Sequence, residues 1–496
     1  MKSLNLTAKV VLLFAVLVMI PSCAVNPVTG KRQIMFMSEA QEVAMGQSYD
    51  PQVLATFGVY PDQKLQNYVQ QLGDEMGKIS HRPNLQYHVR VVDSPVVNAF
   101  AVPGGYIYLT RGILAQFNNE AEMVGVLGHE MGHVTARHSV SQQTKQTLGQ
   151  LALIGGMILS PQIAEMGEMA MQGLQLLFLK FSRDDEREAD KLGAEYTSKV
   201  GFDAHKMADF FQVLNKMNMA ESEGGVPTFL STHPDPGDRE TAVNQYATQW
   251  QQTLQNSNWK VNRESYLQLI DGIVYGEDPR QGYVEGNTFY HPELKFRYSF
   301  PNGWQFENSP IQVQMAPADG SAIMVFTFAP GSNLQVAADS ALMQLGMTVQ
   351  ERQNVTVNGL PAIAAVSIQT GQDQSTGQQV SNQLLSYFYN LDGNFFVLHG
   401  LSSSQNFSKL FPLMQMSMTS FARLTDASKI NVKPDYLRVK KAPRAGTVAE
   451  TFRALGVPAG KHEELAFLNN MALTDRLTAG QDRKSTRLNS SHVSQS

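Results

Sequence analysis

From Ser38 to about Ala247 the chain alternates helical patterns of apolar positions with one block of strand character. "LQYHVRVVDS" alternates as a strand does, and "NAFAVPGGYIYLTRGIL" turns at Pro103-Gly104-Gly105 into "YIYLT" before the next helix. "FNNEAEMVGVLGHEMGHVTARHSV" then reads as one long helix, with Asn119 as N-cap and Glu122, three residues on, completing a capping box. Two apolar runs follow, Leu151 to Leu159 and Leu174 to Phe181. Each is too short to span a bilayer, and Ser160, Pro161, Glu165 and Glu168 lie between them, so buried or lid-forming helices are expected there.

Residues 266–287 read as a linker, rich in Gly and acidic residues and broken by Pro279. Beyond it the rhythm shortens to two. "LKFRYSFPNGWQFE", "SAIMVFTFAP", "NVTVNGLPAIAAVSIQT" and "LLSYFYNLDGNFFVLHGLSS" are predicted strands with Asn-Gly and Asp-Gly turns, while "NLQVAADSALMQLGM" and "FSKLFPLMQMSMTSFARL" are predicted amphipathic helices. This is an α+β domain over 288–425, and its order of elements resembles the α/β sandwich of PsbP- and DcrB-like proteins. Residues 433–482 resemble a LysM-like module of strand, two short helices and strand. The tail 483–496 is polar and aperiodic, looks like translated sequencing-adapter sequence joined to a truncated gene, and is expected to be disordered and non-native.

The chain is long enough, at 496 residues, for two or three cores. A net charge of −5 without a basic stripe argues against nucleic acid as a partner. Lys2 and Lys9 precede an apolar run from Val10 to Ile20, which has the length and flank of a secretory signal, assigned to 1–22. The single cysteine, Cys23, follows directly. This arrangement resembles a bacterial lipoprotein signal, with Cys23 lipidated, although Pro21 departs from the usual pattern. With no second cysteine there is no intrachain disulfide, and the mature chain is expected to be extracytoplasmic.

Candidate chemistry lies in "GHEMGH", where His129 and His133 are one helical turn apart and leave the same face, with Glu130 beside them. A hydrolytic zinc site needs three protein ligands, so a third is required. Glu186 and Asp190 in "SRDDEREADKLG" are again one turn apart and match an ExxxD pattern that supplies a carboxylate ligand and a supporting acid. His138 does not fit a longer histidine signature, because Ala136 and Ser139 stand where Gly and His are needed, and nine residues of helix put it opposite His129. It is therefore read as structural.

"NAFAVPGGYIYLTRGIL", "GHEMGHVTARHS", "SRDDEREADKLG" and "STHPDPGDR", in this order, resemble the zinc endopeptidases of peptidase family M48, and "NPVTGKRQIMFMSEAQEVAMG" resembles its lipoprotein branch. The likeness covers about Cys23 to Trp250. It implies a mainly helical zincin-type domain with a small sheet over 23–265, within an α+β multidomain chain, and one Zn2+ held by His129, His133 and Glu186. It further implies Glu130 as general base, Asp190 orienting a histidine ligand, and His233 near the metal, either donating to the oxyanion or closing the open metal position. His233 also reads as a plain turn histidine before Pro234. Arg239 is expected to order its loop through an ion pair. Substrate backbone is expected along Asn98 to Ala101 and the Gly104-Gly105 turn, by addition to a sheet edge, with an internal hairpin as the alternative. The function implied is hydrolysis of misfolded or unassembled envelope proteins by a periplasm-facing lipoprotein. Ala24 after the cysteine points to the outer membrane. Two alternatives are a chaperone or assembly factor with a self-blocked site and a peptidoglycan-binding lipoprotein; an envelope assembly complex is a further candidate partner.

Overall fold

The structure, a computed structural model, describes residues 23–35, 37–144, 181–220, 228–235, 237–309, 311–372 and 379–487. The expected signal peptide and most of the apolar region 151–181 lie outside the described residues. Two compact units emerge, the first comprising described residues 23–54, 58–276 and 436–487, the second 55–57 and 277–435.

In the first unit a short hairpin, β1 (Cys23–Val25) and β2 (Arg32–Ile34), leads into α1 (Glu39–Phe57). Ser38 caps α1 and Gln41 answers it in a full capping box. Next come α2 (Gln63–Ile79), β3 (His88–Val92), β4 (Ala99–Val102), β5 (Tyr106–Thr110) and α3 (Arg111–Gln116). β5 is the middle strand, parallel to β3 and antiparallel to β4. Behind this sheet runs α4 (Glu120–Ala136), every residue of which is buried. Asn119 caps α4 as expected, but the Glu122 carboxylate binds the backbone N–H of Asn118 and the side chain of Asn119 rather than the backbone of the cap. The helical unit is completed by α5 (Arg183–Lys199), α6 (His205–Ala220), α7 (Thr228–Thr232), α8 (Arg239–Leu254), α9 (Arg263–Ile270) and β6 (Val274–Tyr275).

The linker expected over 266–287 is displaced. Tyr266, Leu267, Ile270, Ile273 and Val274 are buried in the core of the first unit, because α9 turns an apolar face inward before the Gly- and Asp-rich stretch begins.

The second unit holds a four-stranded antiparallel sheet of β7 (Tyr283–Glu285), β8 (Thr288–His291), β9 (Phe296–Ser299) and the late β17 (Ala422–Arg423). A seven-stranded sheet is built from β10 (Trp304–Asn308), β11 (Gln312–Pro317), β12 (Ala322–Phe328), β13 (Thr348–Val357), β14 (Leu360–Gln372), β15 (Gln379–Leu391) and β16 (Asn394–Ser403), in the order β10-β11-β12-β16-β15-β14-β13. Asn358-Gly359 and Asp392-Gly393 make its tight turns with positive φ at both residues, as Asn-Gly and Asp-Gly pairs favour. Alternation along β15 sends Leu385, Tyr387 and Tyr389 to a core shared with β8, β9 and α11 (Ser404–Thr419), and Leu384 and Phe388 to one shared with α10 (Leu334–Gln344). Both faces are thus covered.

After α12 (Ala427–Ile430) the chain returns to the first unit. β18 (Asp435–Lys441), β19 (Gly446–Thr447), α13 (Val448–Ala454), α14 (His462–Leu468), β20 (Arg476–Leu477) and β21 (Asp482–Arg487) follow. The first strand and the two helices appear in the expected order, the closing strand β21 lies almost wholly beyond the expected bound at 482, and the segment is not a separate module. β18 is flanked by β21 and β6, and Leu437, Val448, Phe452, Leu465 and Leu477 share one apolar cluster with Leu114, Phe117 and Met123.

The expectation of disorder from residue 483 is corrected through residue 487, since β21 pairs with β18. Main-chain pairing needs no apolar period. The buried Lys484 is accommodated because its Nζ donates to the carbonyls of Ala115, Gln116 and Phe117 at the end of α3.

Candidate metal centre

Glycine and alanine decide how closely α4 and α5 pack. A Cβ on Gly128 would lie 3.0 Å from the Gly193 carbonyl oxygen, one on Gly132 3.1 Å from the Ala189 Cα, and one on Gly193 3.0 Å from the His129 backbone nitrogen. Larger residues would hold the helices apart. At this separation His129, Glu130 and His133 on α4 face Glu186 and Asp190 on α5.

The end of α4 is fixed separately. Buried Glu42 of α1 pairs with Arg82 and Arg137, and Arg82 also donates to the Val134 carbonyl, so three segments meet on one carboxylate. Arg137 takes the left-handed conformation, with φ 59°, and terminates α4; residues 138–144 start a new helical stretch.

His129, His133, Glu186 and His233 are all buried, and each offers one ligand atom such that the four lie within 4.8 Å of one another. Nε2 of His129 is 3.0 Å from Nε2 of His133 and 3.3 Å from Nδ1 of His233. Glu186 lies 3.5 Å from each of the first two rings and 3.1 Å from the third. Ligands on a tetrahedral zinc at about 2.0–2.1 Å are roughly 3.3 Å apart, so this donor set fits the ion. Both carboxylate oxygens of Glu130 are buried without a hydrogen-bond partner, beside His233 Nε2 at 3.5 Å from one of them. Two such orphaned acceptors in a core are costly unless a water or ion completes them.

Burial holds His129 and His133 well below the ordinary imidazole range, leaving neutral rings suited to ligation. Burial also opposes ionisation of Glu186, but the neighbouring imidazoles of His233 and His133 outweigh it and hold this carboxyl well below the usual range. Desolvation dominates at Glu130, pushed up to about 7, and at Asp190, which rises to about 7 even against the Arg239 guanidinium. Burial works against a charge on His233, yet Glu186 and Glu130 raise it above the ordinary value.

Asp190 Oδ1 is 2.9 Å from Nδ1 of His129 and also receives Arg239 at 2.8 Å. Arg239 does more than order a loop. It is buried, reaches Glu186 at 3.3 Å, and lies 3.7 Å above the Phe211 ring. The placement of His138 opposite His129 is overturned. The left-handed Arg137 folds the chain back, and Nδ1 of His138 lies 2.9 Å from Nδ1 of His133. Sequence spacing also missed Phe181, stacked on His133 at 4.0 Å, and Phe229, stacked on His233 at 4.6 Å.

Gly104 and Gly105 are not gathered with these residues. They form the buried β4–β5 turn, where the Gly104 N–H faces Glu42, the Gly105 carbonyl accepts from His88, and a Cβ on Gly105 would meet the Gln86 carbonyl oxygen at 2.3 Å. The internal-hairpin alternative describes that turn. Asn98 is buried with its main chain bonded to Thr110 and its side-chain Oδ1 unpartnered; β4, which follows it, pairs only with β5 among the described residues.

Residues 63–247 match peptidase family M48. The matched segment contains all four members of the cluster together with Glu130, Asp190 and Arg239. The chain is 31% identical over 229 residues to the Yersinia pestis beta-barrel assembly-enhancing protease, covering 45% of this chain and 47% of that protein. It is 35% identical over 158 residues to the Arabidopsis thaliana mitochondrial metalloendopeptidase OMA1, covering 31% and 30%. The chain therefore spans about half or less of these curated relatives. The solution structure of cyanobacterial PsbP from Synechocystis aligns with 27% of this chain and 91% of its own length, at 9% identity and a TM-score of 0.22.

Proposed function

We propose that the first unit is a zinc-dependent metalloendopeptidase that hydrolyses misfolded or unassembled cell-envelope proteins. The observation that carries this is the four-donor cluster with the orphaned Glu130 carboxylate against it. His129, His133 and Glu186 hold one Zn2+, which when bound supplies Lewis acidity toward a peptide carbonyl. Asp190 fixes the His129 tautomer by accepting its Nδ1 proton, and Arg239 holds Asp190 and Glu186 in place. Glu130 takes the proton of the attacking water and passes it to the leaving amine.

The substrate class rests on the beta-barrel assembly-enhancing protease of Yersinia pestis, whose name places that protein in beta-barrel assembly. An extended substrate adds to β4 by main-chain hydrogen bonds, a mode that tolerates many sequences. Lipidation at Cys23 tethers the chain to the periplasmic face of the outer membrane, and the C-terminal strand-helix-helix-strand segment is a LysM-like element able to meet peptidoglycan or an envelope assembly complex. Among the described residues no helix is long and apolar enough to cross a membrane.

A second reading is favoured by one observation. Nδ1 of His233 stands where a fourth ligand would, 3.3 Å from His129 Nε2 and 3.1 Å from Glu186. On this reading the arrangement is a self-blocked state that must open before a water or substrate oxygen can enter, or that serves a chaperone role while shut.

Degradation of a denatured outer-membrane barrel protein by the purified full chain, with a zinc chelator and with zinc restored, tests the proposal. Cleavage should stop with the chelator and return with zinc. A zinc-loaded protein that cleaves nothing, or cleavage indifferent to the chelator, would overturn it.

A further inference from the structure

Ligating histidines ordinarily give their second ring N–H to an acceptor, which fixes the tautomer and the orientation of the ring. His129 gives its own to the Asp190 carboxylate. His133 has no carboxylate in that position; its Nδ1 meets Nδ1 of His138 at 2.9 Å, and Nε2 of His138 lies 3.2 Å from Glu188 and 3.8 Å from Asp185.

We propose that His138 is a positioning residue for His133, holding that ligand through an imidazole relay anchored on Glu188. The proposal rests on His133 being a zinc ligand. A neutral imidazole carries one proton, so with Nε2 of His133 turned to the metal its proton sits on Nδ1. Nδ1 of His138 is then the acceptor. That leaves the His138 proton on Nε2, where the Glu188 carboxylate accepts it. Each proton has one consistent place along His133, His138 and Glu188.

The geometry depends on the chain reversal at Arg137. Continued helix would carry His138 away from His133, whereas the left-handed residue returns it to the back of the ring. Phe181 covers one face of the His133 ring, stacked at 4.0 Å, so the His138 contact is what fixes rotation in the ring plane. α5 thereby supports the site at both histidines, directly through Asp190 and indirectly through Glu188. The two supports differ in strength. A carboxylate raises the basicity of His129 more than a neutral ring raises that of His133, so His133 is the ligand more dependent on being held still.

Zinc affinity of the full chain, measured by competition with a chromophoric chelator, tests this without reference to activity. His138→Ala should raise the zinc Kd about 10- to 100-fold, the usual effect of losing such a support. His138→Gln, whose carbonyl oxygen can accept the His133 proton, should recover most of that loss. Glu188→Gln, a partly exposed site that does not threaten folding, should weaken binding by a smaller factor, and cobalt-substituted His138→Ala should show a shifted visible spectrum. A Kd within twofold of wild type in both His138→Ala and Glu188→Gln overturns the relay. So does a loss in His138→Ala that Gln does not rescue and that is matched by an equal drop in the unfolding midpoint of the zinc-free protein. Wild-type chain that binds no zinc overturns the metal reading itself, which separates the two failures.

Discussion

Gly132 of α4 sits so close to Ala189 of α5 that a Cβ on the glycine would lie 3.1 Å from both the Ala189 Cα and its carbonyl oxygen. The two helices carry the two halves of the donor set, so this approach determines whether the site closes.

Gly132→Val places three carbons against backbone that cannot yield locally. Overpacking of this kind costs about 1–3 kcal/mol, more than the few tenths to 1 kcal/mol that replacing glycine in a helix returns. The helices should part, and zinc affinity should fall together with the thermal midpoint. Calorimetry and metal analysis of the same preparation would check this, and unchanged zinc affinity would show that the ligand geometry does not depend on the helix contact.

The roles on α4 and α5 separate by mutation. Glu130→Gln keeps shape but loses the proton acceptor, so zinc should stay at near-normal stoichiometry while hydrolysis falls at least about a hundredfold. Glu186→Gln removes a charged ligand and should lose metal and activity together. Asp190→Asn should weaken metal affinity or activity by about 10- to 100-fold, because it leaves His129 with a poorer acceptor and Arg239 without its main counter-charge. Metal content by emission spectroscopy, beside the rate on a denatured substrate, distinguishes the three. Equal zinc and equal rates throughout would sink the assignment.

His129, Glu130, His133, Glu186 and Asp190 were legible because helical periodicity alone puts residues four apart on one face. His138 was not, because the same periodicity was extended through Arg137, and nothing in "VTARHS" marks a left-handed arginine held by Glu42 ninety-five positions earlier in the chain. The second unit was legible from its period of two and its Asn-Gly and Asp-Gly turns. The return of residues 436–487 to the first unit was hidden, since a strand pattern does not say which distant strand it will join, and β6 is only two residues long.

His233 offers a test of the closed state. It is buried against Phe229 and hydrogen-bond close to Glu186. If its ring blocks the open position at rest, His233→Ala should raise the rate on a denatured substrate with zinc content unchanged. If instead it stabilises the oxyanion, the same change should lower kcat by about a hundredfold or more. A rate within twofold of wild type would assign it neither role.

Acid sensitivity of the second unit should trace to its two buried imidazoles, His291, which burial pushes down to about 4, and His399. Burial pushes the His399 imidazole from its ordinary value of 6.5 down to about 4, with Nδ1 bonded to Ser386. Between these values the unfolded chain binds a proton that the folded chain refuses, so stability is full above about 6.5 and declines as pH falls toward 4. From pH 7 to pH 5 the loss at His399 is about 1–2 kcal/mol. Trp304 is the one tryptophan of this unit, and urea titration followed by its fluorescence in a W250F/W259F background reads the effect. His399→Gln should show a smaller fall in midpoint between the two pH values; an equal fall in both proteins would show that His399 takes no part in it.

The last residues should matter more to zinc binding than the whole second unit does. β18 lies beside β6, with the Gly272 N–H bonded to the Leu437 carbonyl and the Leu437 N–H to that of Ile273, and Val448, Phe452, Leu465, Leu468 and Leu477 fill the same core as Leu114, Phe117 and Phe210. Ending the chain at residue 435 exposes that apolar surface and leaves β6 without a partner strand, and ending it at 265 removes β6 and most of α9 as well. Each buried leucine or phenylalanine is worth roughly 1.5–3 kcal/mol, so the loss exceeds the total stability of an ordinary domain once several are removed. Such truncations should be insoluble or unfold without cooperativity, and should bind zinc weakly. Replacing 278–434 with a short Gly/Ser linker keeps every one of these contacts, because Tyr275 ends β6 and Asp435 begins its neighbour β18. That deletion should remain soluble, unfold cooperatively and bind zinc with wild-type affinity. A chain ending at 265 that folds and holds zinc as tightly as the full protein would show that the C-terminal strands decorate the metal unit rather than complete it.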